Sequence, residues 1–164
     1  MREFPHHYTA TAAGGPDGEV RLEGVRLPPI HSAAPAEFDG PGDRWSPETL
    51  VTAAVADCFV LTFRAIAKVS RLPWRSLSCQ VTGTLDRVER VTRFTAFSMK
   101  AALRVPAGTS VEQGRRLLQR TEESCLITNS LKAPIALELD VRAEEVPKSG
   151  IGYEPGCERI IGWQ

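Results

Sequence analysis

The sequence lacks a net charge. Its 20 Lys and Arg residues are balanced by 20 Asp and Glu over 164 residues, for a formal net charge of +0. A chain without a basic excess carries no electrostatic footprint for nucleic acid or an anionic membrane, and neither partner is expected. No leader is expected, because MREFPHHYTA contains no apolar signal segment. Its most apolar stretch is short and interrupted by Glu48, Asp57 and Arg64, which argues against a transmembrane span. A soluble, cytoplasmic protein is expected. The 4 cysteines, Cys58, Cys79, Cys125 and Cys157, include no CxxC pair. That excludes a zinc ribbon and a dense secreted disulfide framework. His6, His7 and His31 have no partner ligands at useful spacing, so neither a metal nor a cofactor is expected. Phosphate-binding loops, dinucleotide fingerprints and nucleophile elbows are absent, as are repeats and low-complexity tracts.

What the sequence does contain is one dominant stretch, Ser46 to Arg71 (SPETLVTAAVADCFVLTFRAIAKVSR). Ser46 is a helix N-cap, Pro47 fits the first helical position, and Glu48 puts negative charge at the positive end of the helix dipole. Pro73 stops the helix. Leu50, Val51, Val55, Phe59, Val60, Phe63 and Ile66 wrap most of the circumference. This predicts a helix buried on nearly all sides, with Asp57 and Cys58 inside an apolar sleeve.

Around it, Tyr8–Ala13 and Glu19–Glu23 flank the turn Gly-Gly-Pro-Asp-Gly and read as a β-hairpin, with Val25–Ile30 extending it or pairing again. Residues 31–45 form a loop into the helix. Ser76–Glu89 and Arg93–Val105 read as long strands joined by a tight turn near Arg90. Ser110 and Gln113 form a capping box for a second, amphipathic helix ending around Cys125 to Asn129. Ile135–Glu144 alternates as a last strand, and the tail GIGYEPGCERIIGWQ has no clear element. The order predicts a mixed α+β fold.

Two thiols and one acid are the candidates for chemistry. Cys58 fits either a small buried hydrophobe or a reactive thiol. Cys125, near the end of the second helix, is equally open. Both lie on helices packed into one core, and they can cycle between thiol and disulfide if their Cα atoms come within about 7 Å. Cys79, in a strand, and Cys157, in the tail, read as incidental. Glu48 is explained by the helix dipole alone. Ten helical residues, about 15 Å, separate it from Cys58, so the two cannot touch within one chain. They can meet across a twofold axis near Ala53, where Thr52, Ala53, Ala54 and Ala56 permit close approach of a second copy.

SPETLVTAAVADCF resembles the cysteine-bearing helix of the osmotically inducible protein C (OsmC) and organic hydroperoxide resistance (Ohr) family. EESCLITNSLKAPIALEL resembles its second-cysteine segment, and YTATAAGGPDG its first hairpin. The resemblance implies one OsmC-like domain over residues 1–164, with a core at about 8–143 and a tail at 145–164. It also implies an intertwined homodimer in which antiparallel sheet wraps long central helices. The activity implied is cysteine-based reduction of organic hydroperoxides through a Cys58–Cys125 disulfide. Cys58 is then the peroxidatic thiol, Cys125 the resolving thiol and Glu48 the acid of the site, and a thiol reductant such as a dihydrolipoyl protein reopens the disulfide. A thiol redox sensor or binding protein of the same fold, without turnover, is the alternative, and a dimeric module with both cysteines as packing residues is a third. The chain departs from the family at its arginine: Pro16 and Glu37 stand at the two positions where its branches carry one. Leu126 follows the second cysteine where many members have proline. Arg44, Arg21 and Arg26 are the available substitutes, and Arg44, in the loop entering the helix, is the one expected to bind Glu48.

Overall fold

Strict alternation of apolar residues builds the larger of two sheets. In the computed structural model, which describes residues 3–145, strand β4 (Ser76–Val88) pairs antiparallel with β5 (Val91–Pro106), and β6 (Ile135–Glu144) lies parallel to β5 on its other side. A two-residue turn joins β4 to β5. Glu89 and Arg90 both have positive φ there (52° and 68°), as a turn matched to the strand twist requires. Because β5 and β6 run parallel, the link between them must cross over the sheet. It does so through α2 (Val111–Ser124) and the short α3 (Leu126–Asn129).

The long helix α1 (Pro47–Val69) lies on the same sheet. Val55, Phe59, Phe63 and Ala67 recur every four residues and form its buried stripe. They meet Phe97, Met99, Ala101, Leu103 and Val105 of β5, with Leu118 of α2 and Val141 of β6 closing the cluster. Trp74 packs edge-on against Phe63, ring centroids 5.4 Å apart.

The smaller sheet is N-terminal. β1 (Ala10–Ala13), β2 (Val20–Gly24) and β3 (Ile30–Ser32) pair antiparallel in that order. The loop after β3 carries a single 3₁₀ turn, Ala36–Phe38, and doubles back on itself. Gly40 N–H donates to Pro35 O at 3.0 Å. A Cβ at Gly40 would lie 1.7 Å from Ala34 O, so only glycine fits there.

The expected order of elements is present, with small shifts at the ends. The third N-terminal strand begins at Ile30 and not at Val25. Two features differ from the sequence reading. α1 is not buried on nearly all sides of one chain: Leu61 and Val69 are 50% and 85% exposed, Asp57 is exposed, and Cys58 is half-buried. Apolar content around a helix reports what must be covered, and one chain supplies cover for a single stripe. Nor is α1 too short to span a membrane, since it is long and apolar enough by length and composition. Its stripe is packed on the sheet as in a core helix. The tail, with Cys157, lies outside the described residues.

Candidate functional site

The N-terminal end of α1 is held in place by its cap. Ser46 Oγ accepts from Thr49 N–H at 3.2 Å, and Ser46 N–H donates to Thr49 Oγ1 at 2.8 Å. The reciprocal pair fixes the first turn and thus the direction of Glu48. Glu48 Oε2 is buried and has no hydrogen-bond partner among the described residues. A buried carboxylate oxygen without a partner is costly, so this group calls for an incoming donor. It borders two cavities. One, of about 530 Å³, is apolar and lies against Val20, Leu22, Ala33, Pro35 and Phe38. The other, of about 310 Å³, runs along Glu37, Phe38, Thr49, Leu85 and Phe94. Gly83 forms part of its wall, and a Cβ there would fall 2.7 Å from the Phe94 ring, so the glycine lets the stacked Phe94–Phe97 pair lie flat on β4.

Cys58 sits mid-helix, half-buried, with its Sγ 3.9 Å from Thr62 Oγ1. Cys125 is wholly buried at the break between α2 and α3, where its backbone turns extended (φ −71°, ψ 114°). Its carbonyl accepts from Thr128 Oγ1 at 2.9 Å and from Asn129 N–H at 3.0 Å, which fixes the break. The Cys58 and Cys125 thiols are near enough to affect each other's ionisation. Burial pushes the Cys125 thiol pKa up, the nearby Cys58 thiol pushes it further, and Thr128 opposes both. The two expected cysteines are therefore brought together. Glu48 and Cys58, ten residues apart on one straight helix, are not.

Arg44 is elsewhere engaged. Its guanidinium pairs with Glu19, the residue before β2, and with Asp43 at 3.0 Å. Glu19 also meets His31 at 3.1 Å. The bond from Arg44 holds the Glu19 carboxyl below the usual carboxylate range. Within the chain, the ion pairs of Arg44 do not include Glu48. Arg21 pairs with Glu23 at 2.7 Å.

Cys79 is the residue sequence reasoning passed over. It occupies an inward position of β4 and packs against the core. Burial, with a smaller effect of nearby Cys125, pushes its thiol from 9.0 up to about 11. The signal was present in the alternation Leu77, Cys79, Val81, which puts the thiol on the covered face.

The α+β fold sets a helix thiol near a second thiol at a helix break, and the comparisons specify the family. Residues 40–140 match the family model described as OsmC-like protein, and the chain belongs to that family. YmaD of Bacillus subtilis is 24% identical over 109 residues, which is 65% of this chain and 73% of that protein. An OsmC-like protein of unknown function from Vibrio cholerae superposes with a TM-score of 0.74 at 17% identity, over 82% of this chain and 99% of that one. The organic hydroperoxide resistance protein OsmC of Legionella pneumophila superposes with a TM-score of 0.65 at 24% identity, over 85% and 98%. At these identities the structures establish the shared fold.

Proposed function

We propose that the protein is a cytoplasmic, cysteine-based peroxidase that reduces organic hydroperoxides. The observation that carries this reading is the facing pair of thiols, Cys58 and Cys125. The Cys58 thiolate attacks the O–O bond, the alcohol leaves, and Cys58 becomes a sulfenic acid. Cys125 condenses with it, water leaves, and a disulfide forms, which an external thiol, of the dihydrolipoyl kind, reduces. The hydroperoxide resistance name of the Legionella neighbour supports the same substrate class.

The active form is a homodimer. The uncovered face of α1 supports it, and so does the unpartnered Glu48 oxygen. Two α1 helices packed antiparallel about Ala53 and Ala54 bring Glu48 of one copy toward Cys58 of the other. Arg44 is the cation available to join that pair. In its present place it answers Glu19 and Asp43, which favours the second reading, a thiol sensor or binding protein without turnover.

Consumption of cumene hydroperoxide with dihydrolipoamide as reductant separates the two readings. Wild type should exceed Cys58→Ser by at least about a hundredfold, the scale expected when a nucleophile is removed. Equal, slow consumption by both proteins would reject the peroxidase and leave the sensor.

A further inference from the structure

Arg44, the cation expected near the reactive thiol, is taken by Glu19 and Asp43. A threonine stands beside Cys58 instead. Thr62 lies one turn further along α1, and its Oγ1 is 3.9 Å from Cys58 Sγ. The other mid-helix threonines of α1 and α2 behave differently. Thr52 Oγ1 donates to Glu48 O at 2.8 Å, and Thr121 Oγ1 donates to Leu117 O at 2.7 Å. Each bonds the carbonyl four residues back, the ordinary partner of a threonine hydroxyl inside a helix. For Thr62 that carbonyl belongs to Cys58. Among the described residues, the hydroxyl of Thr62 passes it by and has the sulfur as its partner.

We propose that the Thr62 hydroxyl is the hydrogen-bond donor that stabilises the Cys58 thiolate, standing in for a cation. This rests on the reading of Cys58 as the reactive thiol. A hydroxyl can accept from S–H and donate to S⁻. The second bond is charge-assisted and the stronger, so the hydroxyl favours the ionised sulfur, and the released proton goes to solvent. Both residues are half-buried, and residues four apart on a helix are neighbours, so α1 itself sets the contact. Thr128, beside the second thiol, gives its hydroxyl to Cys125 O at 2.9 Å. The two thiols are thus unequal, and the donor favours ionisation at Cys58 first.

Other charges also face this region. On α1 they are Asp57 and Arg64, both exposed. The α2–α3 junction brings Cys125, and β4 carries Cys79 on its covered face. Arg120 of α2 borders Ala65 and Ile66, further along α1, and α3 carries no titratable side chain. The proposed dimer adds Glu48 of the other copy. All of these are common to the wild type and to variants at Thr62, so a difference between those proteins reads the hydroxyl.

The test uses full-length reduced protein carrying Cys125→Ser, which removes the thiol that titrates together with Cys58. It is compared with the same protein bearing Thr62→Val, Thr62→Ala or Thr62→Ser. Reaction with 4,4′-dithiodipyridine from pH 5 to pH 10, quenched in acid and mapped by mass spectrometry, gives the rate at Cys58. Loss of the donor in Thr62→Val should move the midpoint of the profile up by about one unit, the low end for a hydrogen bond to a charged group. At the acid end the rate should fall about threefold, because about tenfold fewer thiolates are each about threefold more nucleophilic. On the alkaline plateau Thr62→Val should be the faster protein by about threefold, a crossing that altered packing or exposure does not produce. Thr62→Ala should follow Thr62→Val, and Thr62→Ser should restore the Thr62 profile. Coincident profiles for Thr62 and Thr62→Val overturn the proposal. So does a Thr62→Ser profile that follows Thr62→Val, which assigns the effect to the threonine methyl. Consumption of cumene hydroperoxide by protein with its native Cys125 isolates the peroxidase reading. A protein whose profiles cross as expected but which ignores the peroxide rejects that reading and leaves the Thr62 donor standing.

Discussion

Leu22 of β2 and Phe97 of β5 both take the inward side of an alternating antiparallel strand, yet Phe97 is buried and Leu22 is only half-buried. The same contrast runs through the two sheets. Along β5, every second residue from Phe97 to Val105 is buried, because α1 and α2 lie over that face. Along β1 all four residues are exposed, and β2 alternates between half-buried and exposed. Alternation thus fixes which face of a strand is apolar, and a second layer decides whether that face is dry. The larger sheet finds its second layer within the chain. The smaller sheet leaves an apolar cavity of about 530 Å³ against the start of α1, beside the unpartnered Glu48 oxygen.

The sharpest way to break this contrast is to deny α1 its partner. Ala54 is exposed on the helix, near the proposed twofold axis. In Ala54→Glu, two glutamates would face each other in an apolar interface, and like charges there are strongly unfavourable. Sedimentation at micromolar concentration should change from dimer to monomer, and peroxide turnover should fall to the Cys58→Ser level. A stable folded monomer already present in wild type would reject the dimer.

Truncation on the two sheets should differ in size. Phe97→Ala removes a wholly buried ring and should cost about 3–5 kcal/mol in equilibrium unfolding. Leu22→Ala in the Ala54→Glu background should cost less than about 1 kcal/mol, since its side chain is only half out of water. In the wild-type background the cost at Leu22 should rise, because the proposed partner would cover that face. Equal costs at Leu22 in both backgrounds would mean that the smaller sheet is not covered by assembly.

Much of this was legible in the residues. The cap at Ser46, the alternation of Ile135–Glu144 and the tight turn at Arg90 are local signals, and local signals survive folding. The parallel pairing of β6 with β5 was not read, because strand direction depends on the crossover and not on strand composition. The helix break at Cys125 was also hidden, since no Gly or Pro marks it. It is held by the Thr128 hydroxyl and the Asn129 amide, two contacts that a helical pattern does not reveal. The overestimate of α1 burial has a different origin. Periodicity counts apolar residues around the helix without saying which chain covers them.

The finest difference concerns the tether between the two regions. β3 and the start of α1 are joined by the Ser32–Trp45 bridge, in which Ala33 N–H donates to Trp45 O at 2.9 Å, and the Arg44–Glu19 pair lies alongside. Glu19 titrates in the folded chain below its ordinary 4.5 because Arg44 binds the ionised form. A lowered folded value means that the contribution of the pair is fully present above about pH 4.5 and is lost as the pH falls through the folded value. Both side chains face solvent, so the effect is small and screened by salt. Hydrogen exchange at the Ala33 amide, corrected for intrinsic rates, reads it locally. Protection should hold from pH 7 to about 4.5 and then fall by a few-fold at most in wild type. In Glu19→Gln it should be slightly lower at pH 7 and flat with pH. A pH-dependent fall of the same size in Glu19→Gln would assign the titration to another group. It would also free Arg44 from the role of tether and return it to the candidates for Glu48.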